Sequence, residues 1–548
     1  MTLTSEHGLR KPNPGRGAGN GELGQPPLQL QAGDHGPNWP GLWWNCLAGP
    51  WLCAMLVQYV RALAADGLAS GQALRWWGSA GATAAAFWCA YRLCKPTLPG
   101  FVVFLVALDF FPTGPWRTGN PDTLTHVLSA AAWAAAALWR REQAGVGVRL
   151  WLRGTTSGEP NGSFPRLWAS RVSAAWLDLR PEWRAGLVLF LATRPCLTLL
   201  GVLSRAVLSR IHSPGAVPLY SPYASLSMWA VWDSDWYMRI ALHGYNGIPR
   251  TNPGQVGMSD VVFFPLYPVL SRWLGWGIGS DYVAGLLISN ACLVGASVLL
   301  YRLARVDYGE PAAGRAMEYL YLFPMAFIFS AFYTESLFLF LVLASLYCAR
   351  RERWLLCGAC GLLAALTRSS GVLLVLPALL EYLSARDFEW RRIRPNVLCL
   401  LLIPLGTCLF GAFCYRLTGD FLAFSHVEAA WGRHWGNPGT VVWSSLTTSD
   451  LNGHFWGWFT LIFLLVVVCG VRRVRMSYWL WALAMIVAPL ATGTVMSMPR
   501  YVVPVFPFYL ICAGMSGNAR FHRATMMALA LFQGCLMVFW TKGFYITV

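Results

Sequence analysis

Five stretches of this chain, 282–301, 395–415, 476–499, 501–519 and 524–541, run for roughly 20 residues each without one charged side chain. About 20 apolar residues in a helix cross the ~30 Å of hydrocarbon in a bilayer. Water offers no comparable home for so many such runs in one protein. Over 548 residues the chain is 56% hydrophobic and 12% charged, against roughly 25% charged in ordinary soluble domains. These figures exclude a soluble globular fold, and for most of the chain they exclude disorder. They predict an all-α polytopic membrane protein, with the bilayer as partner.

Less clean apolar segments lie at 42–60, 76–91, 98–112, 123–139, 185–208, 316–331, 333–349, 355–367, 371–385 and 455–471. The total is about fifteen helices. Residues 1–40, rich in Gly, Pro and Asn, read as a disordered cytosolic tail with no signal peptide. Residues 41–140 read as extra N-terminal transmembrane helices, about four of them. Residues 141–183, where Trp151, Leu167 and Trp168 lie among arginines, read as a cytosolic amphipathic linker. Residues 184–548 form the main membrane domain. The formal net charge of +17 belongs to cytosolic loops under the positive-inside rule and needs no nucleic-acid partner. Arginine clusters at 140–153, 302–305, 350–353, 386–394, 472–475 and 520–523 are separated by an even number of helices each time. Two long loops, 209–281 and 416–454, then face the opposite, outer side. Most of the 15 cysteines lie inside apolar runs as small packing residues, and no paired CxxC spacing suits zinc. No internal repeat suggests inverted transporter halves.

The chemistry-bearing residues concentrate in the first outer loop, which reads Trp232-Asp233-Ser234-Asp235-Trp236-Tyr237-Met238-Arg239, then His243-Gly244-Tyr245. A carboxylate pair flanked by tryptophans at a membrane surface suits sugar chemistry. The acid can take a proton from a hydroxyl while an aromatic face holds a sugar ring. The plainer alternative is that one Asp caps a helix starting near Trp236 and the tryptophans anchor the interface. Phe263-Phe264-Pro265 and Pro268 suggest an interfacial segment. Three further charges sit at or within apolar segments: Arg194 beside Pro195, Glu335 in Tyr333-Thr334-Glu335-Ser336, and Arg500 in Pro499-Arg500-Tyr501. A buried charge in a bilayer is costly unless paired or wetted. Arg194 has an ion pair with Glu318 or Glu335 as its structural alternative, and Arg500 has snorkelling to the interface. Arg368 and Arg500, both outer-facing, offer a cationic site for a lipid phosphate. Asp233 and Asp235 could share a divalent ion, though two carboxylates are a thin shell and no cofactor is required.

In this order these pieces resemble the PIG-V type mannosyltransferases (GPI mannosyltransferase 2), within the polytopic GT-C glycosyltransferases. The resemblance covers roughly residues 185–515. It rests most on Trp232-Asp233, His243-Gly244-Tyr245 and Phe263-Phe264-Pro265. The Arg194 helix, Thr334-Glu335, Thr367-Arg368-Ser369-Ser370-Gly371 and Pro499-Arg500-Tyr501 follow as an ordered set. The chain departs from the family pattern at Ser370, where Asn is usual, and in its N-terminal helices.

The resemblance implies a GT-C bundle of about 11 core helices with its active site on the outer face. It implies a dolichyl- or polyprenyl-phosphate mannose donor and a lipid-linked glycan acceptor. That acceptor is a GPI precursor, with α-1,6 linkage, if the source is eukaryotic. An accessory membrane subunit serves some lineages. Asp233 takes the position of the base, with Asp235 second. Trp232, Arg239, His243, Glu335, Arg368, Arg500 and Arg194 are the substrate-binding candidates. Only Lys11, Lys95 and Lys542 are lysines among 42 basic residues, which makes a high-GC bacterial source plausible. The membrane would then be the plasma membrane rather than the endoplasmic reticulum. Two alternatives stay open: a GT-C transferase of another lipid-phosphate sugar, and a transporter or lipid flippase.

Overall fold

Residues 178–208, 217–247 and 257–547 are described by a computed structural model. The expected tail, the four expected N-terminal helices and nearly all of the linker 141–183 lie outside the described residues. Within them, the regular elements are all helices of α or 3-10 type. The longer ones are α1 Pro181–Val207, α2 Ser234–His243, α3 Leu266–Ile278, α4 Asp281–Tyr308 and α5 Glu310–Leu322. They continue as α6 Glu335–Ala349, α7 Trp354–Ala365, α8 Val375–Ser384, α9 Leu402–Thr418 and α10 Pro438–Thr447. The last four are α11 Leu451–Cys469, α12 Met476–Leu490, α13 Phe506–Met515 and α14 Ala519–Thr541. Among the described residues, five segments are long and apolar enough to span a bilayer: α1, α4, α11, α14 and the continuous stretch Pro395–Thr418. The chain is a multi-pass membrane protein.

Three expected spans are interrupted rather than continuous. The run at 316–331 breaks where α5 meets Phe323-Pro324 and resumes as a 3-10 turn, Ala326–Ser330. The run at 476–499 stops at Leu490, after Pro489, and turns through Gly493 (φ 78°) and Ser497 (φ 65°). The run at 501–519 holds Pro504, and α13 starts only at Phe506. Proline removes a donor and clashes with the preceding turn, so each break is local chemistry. Carbonyls freed inside a membrane protein need donors. Arg194 Nη1 donates to the Ala326 carbonyl at 2.8 Å and Nη2 to Tyr321 at 3.4 Å. Gln533 Nε2 donates to the Tyr321 and Phe323 carbonyls at 3.0 and 2.9 Å.

Ion pairs tie one end of the bundle together. Arg302, near the end of α4, pairs with Glu182 at the start of α1 (3.0 Å). Arg350, just past α6, pairs with Asp307 (2.7 Å), and Arg475, just before α12, pairs with Glu381 of α8 (2.9 Å). Helix directions then carry the starts of α4 and α6, and the turn after α12, to the other end. Close packing needs glycine in places. A Cβ on Gly358 of α7 would meet the Cys399 carbonyl oxygen at 2.0 Å.

Candidate active site

The site is built at the end of the bundle opposite those arginines, and it starts from a strained turn. Trp232 has φ 55°, a left-handed conformation that a bulky side chain rarely adopts. Tyr333 holds the turn in place. Its hydroxyl donates to the Val231 carbonyl at 2.9 Å and accepts from the Asp233 N–H at 3.0 Å. The Trp232 ring stands edge-on to Tyr545, centroids 5.6 Å apart. Asp233 occupies the cap position of α2, but its side chain caps nothing. Its Oδ2 instead accepts from Arg500 Nη1 at 2.5 Å. The capping alternative for Asp233 is thereby overturned: the carboxylate is spent on an arginine 267 residues away.

Arg500 joins Asp233 to a second acid. Its Nε lies 3.7 Å from Glu335 Oε1, which also accepts from Arg368 Nη1 at 2.6 Å. Glu335 opens α6, where the helix dipole favours a negative charge. It is 0% exposed, and its second oxygen, Oε2, makes no hydrogen bond. Thr334 Oγ1 accepts from Arg368 at 3.2 Å. The result is a chain of alternating charges, Asp233–Arg500–Glu335–Arg368. Its members come from the start of α2, the short helix Met498–Tyr501, the start of α6 and the turn after α7. Burial of four charges is tolerable because each faces its opposite. Only Asp233 keeps appreciable contact with solvent, its side chain being 21% exposed.

Arg433, from the segment between α9 and α10, also enters the site. The guanidinium groups of Arg368, Arg433 and Arg500 lie 5.4, 5.0 and 5.3 Å from the Tyr501 ring centroid, within cation–π range. Arg433 Nη2 donates to the Tyr501 hydroxyl at 2.8 Å, and Glu428 Oε2 lies 4.0 Å from its Nε. Sequence reasoning missed Arg433, Glu428, Tyr333 and Tyr501 as site residues. Each lies in or beside a segment whose importance shows only when distant loops meet. Tyr333 and Tyr501 stand inside motifs already marked for Glu335 and Arg500, and Glu428 and Arg433 lie five residues apart in an aromatic segment.

The other expected residues sit elsewhere. Asp235 points away from Asp233: it accepts from the Tyr220 hydroxyl at 2.5 Å and pairs with Arg239, one turn on, at 2.6 Å. Arg239 is exposed on the same helix face. His243 is exposed in the last turn of α2, and Gly244 leaves that helix at φ 73°, which explains the glycine after it. Arg194 makes no ion pair with either proposed partner. Glu318 pairs with His522 at 2.7 Å, while Arg194 serves the broken α5. The aromatic part of the motif set forms a floor. Tyr245 donates to the Phe263 carbonyl and packs on Phe410 and Phe413, and Phe264 packs on Phe410 at 4.5 Å. Among the described residues, no group of three His, Cys, Asp or Glu side chains could hold a metal ion.

Residues 265–413 match the family model of dolichyl-phosphate-mannose-protein mannosyltransferases. That stretch includes Glu335 and Arg368 but neither Asp233 nor Arg500, and the family it names is not the PIG-V branch. Among solved structures, the chain is similar to ArnT from Cupriavidus metallidurans bound to undecaprenyl phosphate. Identity is 14% and the TM-score 0.40, over 66% of this chain and 76% of that one. It is similar also to the oligosaccharyltransferase AglB from Archaeoglobus fulgidus in complex with an inhibitory peptide and a dolichol-phosphate. There identity is 14% and the TM-score 0.33, over 65% of this chain and 56% of that one. No curated protein sequence matches the chain.

Proposed function

We propose that this chain is a GT-C type membrane glycosyltransferase. In this reading it moves mannose from a polyprenyl- or dolichyl-phosphate donor to a lipid-linked glycan, at the end of the bundle that carries Asp233. One observation carries the reading: a partly open carboxylate, Asp233, sits directly against a buried arginine, Arg500, with Glu335 and Arg368 behind it. The match of residues 265–413 to a mannosyltransferase family supports mannose as the sugar. A GPI precursor as acceptor, and α-1,6 linkage, follow only from the PIG-V resemblance and apply to a eukaryotic source. The site would then face the endoplasmic reticulum lumen, and in a bacterium the outside of the plasma membrane.

The chemistry follows from the ion pair. Without substrate, Arg500 is neutralised by Asp233, and the guanidinium occupies the carboxylate oxygen that faces it. A donor phosphate brings its own negative charge and competes for the guanidinium, which suits phosphate geometry. Asp233 is then free to accept the acceptor hydroxyl proton as that oxygen attacks the anomeric carbon. The bond from that carbon to the phosphate oxygen breaks, and the lipid phosphate leaves with the electron pair. A phosphate leaving group needs its charge stabilised more than it needs a proton, and Arg500 with Arg368 supplies that. Attack from the face opposite the leaving group inverts the anomeric centre. Glu335 keeps both arginines oriented while Arg500 changes partner.

The test is incubation of the purified protein with radiolabelled polyprenyl-phosphate mannose and with other lipid-phosphate sugars. A labelled covalent product is expected from the mannose donor. Asp233→Asn, checked for expression and folding, should lower its rate by about 10²–10⁴-fold. A near-parental rate in that variant sinks the base assignment. Absence of product from any donor, with flux of lipid or solute across vesicles instead, would favour a transporter.

A further inference from the structure

The segment between α9 and α10 returns to the site as a strap. It runs from the 3-10 turn Val427–Trp431 through Gly432 (φ 71°) to Gly436. Backbone bonds seat it on the turn after α12: His434 N–H donates to the Thr492 carbonyl at 2.9 Å and Gly436 N–H to Ala491 at 3.0 Å. Arg433 fastens it further, donating to Thr492 Oγ1 (2.9 Å), the Met496 carbonyl (3.3 Å) and the Tyr501 hydroxyl. These neutral acceptors and the Tyr501 ring account for Arg433 without a carboxylate.

Glu428 is left over by that arrangement. Its side chain is 30% exposed, and at 4.0 Å from Arg433 it is beyond hydrogen-bond reach. Among the described residues its carboxylate oxygens have the Arg433 ion pair at 4.0 Å and no hydrogen bond. Burial pushes its carboxyl up, although Arg433 and Arg368 both pull it down. A half-buried carboxylate with open lone pairs is a recognition group waiting for donors. Its charge repels phosphate, so the donors that suit it are hydroxyl groups. Three residues on, Trp431 stands edge-on to Trp236 (6.0 Å) and to Phe263 (6.2 Å). Trp236 lies one helical turn beyond Asp233, so Trp431 packs against the helix that starts at the candidate base.

We infer that Glu428 and Trp431 form a sugar subsite for the acceptor, with Glu428 taking two hydroxyl hydrogen bonds and the indole lying against the ring. The inference rests on the glycosyl-transfer reading and adds to it which side of the site the acceptor uses. The strap lies between α9 and α10, outside the segments long enough to span a bilayer.

The experiment uses the full-length protein in nanodiscs with polyprenyl-phosphate mannose, and octyl α-mannoside and octyl α-glucoside as acceptor probes. Transfer to probe and to water are both measured. Glu428→Gln, which removes the charged acceptor, should raise the KM for the probe about tenfold or more, and Trp431→Leu, which removes the aromatic face, should raise it up to about tenfold. Donor KM should change by a smaller factor than probe KM, and Glu428→Asp should recover part of the loss. An unchanged probe KM overturns the inference, as does donor KM rising in step with it, which would assign the strap to the donor. Probes that are neither glycosylated nor able to alter donor hydrolysis also overturn it. Failure of the parent to turn over any donor is a different result: it refutes the glycosyl-transfer reading itself.

Discussion

Glu335 shows what one side chain does when buried between two cations. Its Oε1 faces both Arg368 and Arg500, and it has no contact with solvent. Replacing it with alanine leaves Arg368 buried beside Arg500 with no carboxylate partner. Removing one member of a buried charge set costs about 3–5 kcal/mol. Glu335→Ala should therefore melt well below the parent in detergent, and an unchanged melting temperature would show that water already serves the site. Asp233 and Asp235 make the same point about legibility. Both were visible in the sequence as an acid pair among tryptophans, two residues apart. Helical geometry sends them to different neighbours: Asp233 meets Arg500, and Asp235 meets Arg239 and Tyr220. Local spacing marks the residues. Their roles depend on partners from distant parts of the chain.

At the scale of elements, the hydrophobic runs located the helices well, because a bilayer demands both length and freedom from charge. The expected segments at 333–349 and 355–367 correspond to α6 and α7. What the runs concealed were the breaks at Pro324, Pro489 and Pro504, since an uncharged run looks the same whether the helix continues or stops. The donors that make the breaks tolerable come from afar: Arg194 of α1 and Gln533 of α14 reach the carbonyls of α5 and its successor. Arg194, expected among the substrate-binding residues, spends its donors on backbone carbonyls of the broken helix. Arg194→Leu would leave the Ala326 carbonyl without a donor, an unmet polar group worth about 1–3 kcal/mol. The expected outcome is a lower melting temperature with an unchanged KM for lipid-phosphate mannose per folded molecule. A raised donor KM would return Arg194 to the binding site.

Across the whole molecule, the sparse charges sort into two groups by place and by use. One end gathers arginines at the ends of α4, α6, α8 and α11 and the start of α14, stapled by Asp307 and Glu381. The other end holds Asp233, Glu335, Arg368, Arg433 and Arg500, each engaged in the candidate site. Arginine-rich loops tend to stay cytosolic during insertion, which predicts the candidate site on the opposite side. Two exposed tryptophans report on this. Trp390, 80% exposed, lies beside Arg391, and Trp435, 92% exposed, lies two residues from Arg433. In intact cells a membrane-impermeant maleimide should label Trp435→Cys above the parental background. Trp390→Cys should react only after permeabilisation. The reverse pattern would put Asp233 on the cytosolic side, where activated sugars are supplied as water-soluble nucleotides. A phosphate site formed by Arg500 and Arg368 would then have to serve a soluble donor, and the lipid-phosphate reading would fail with it.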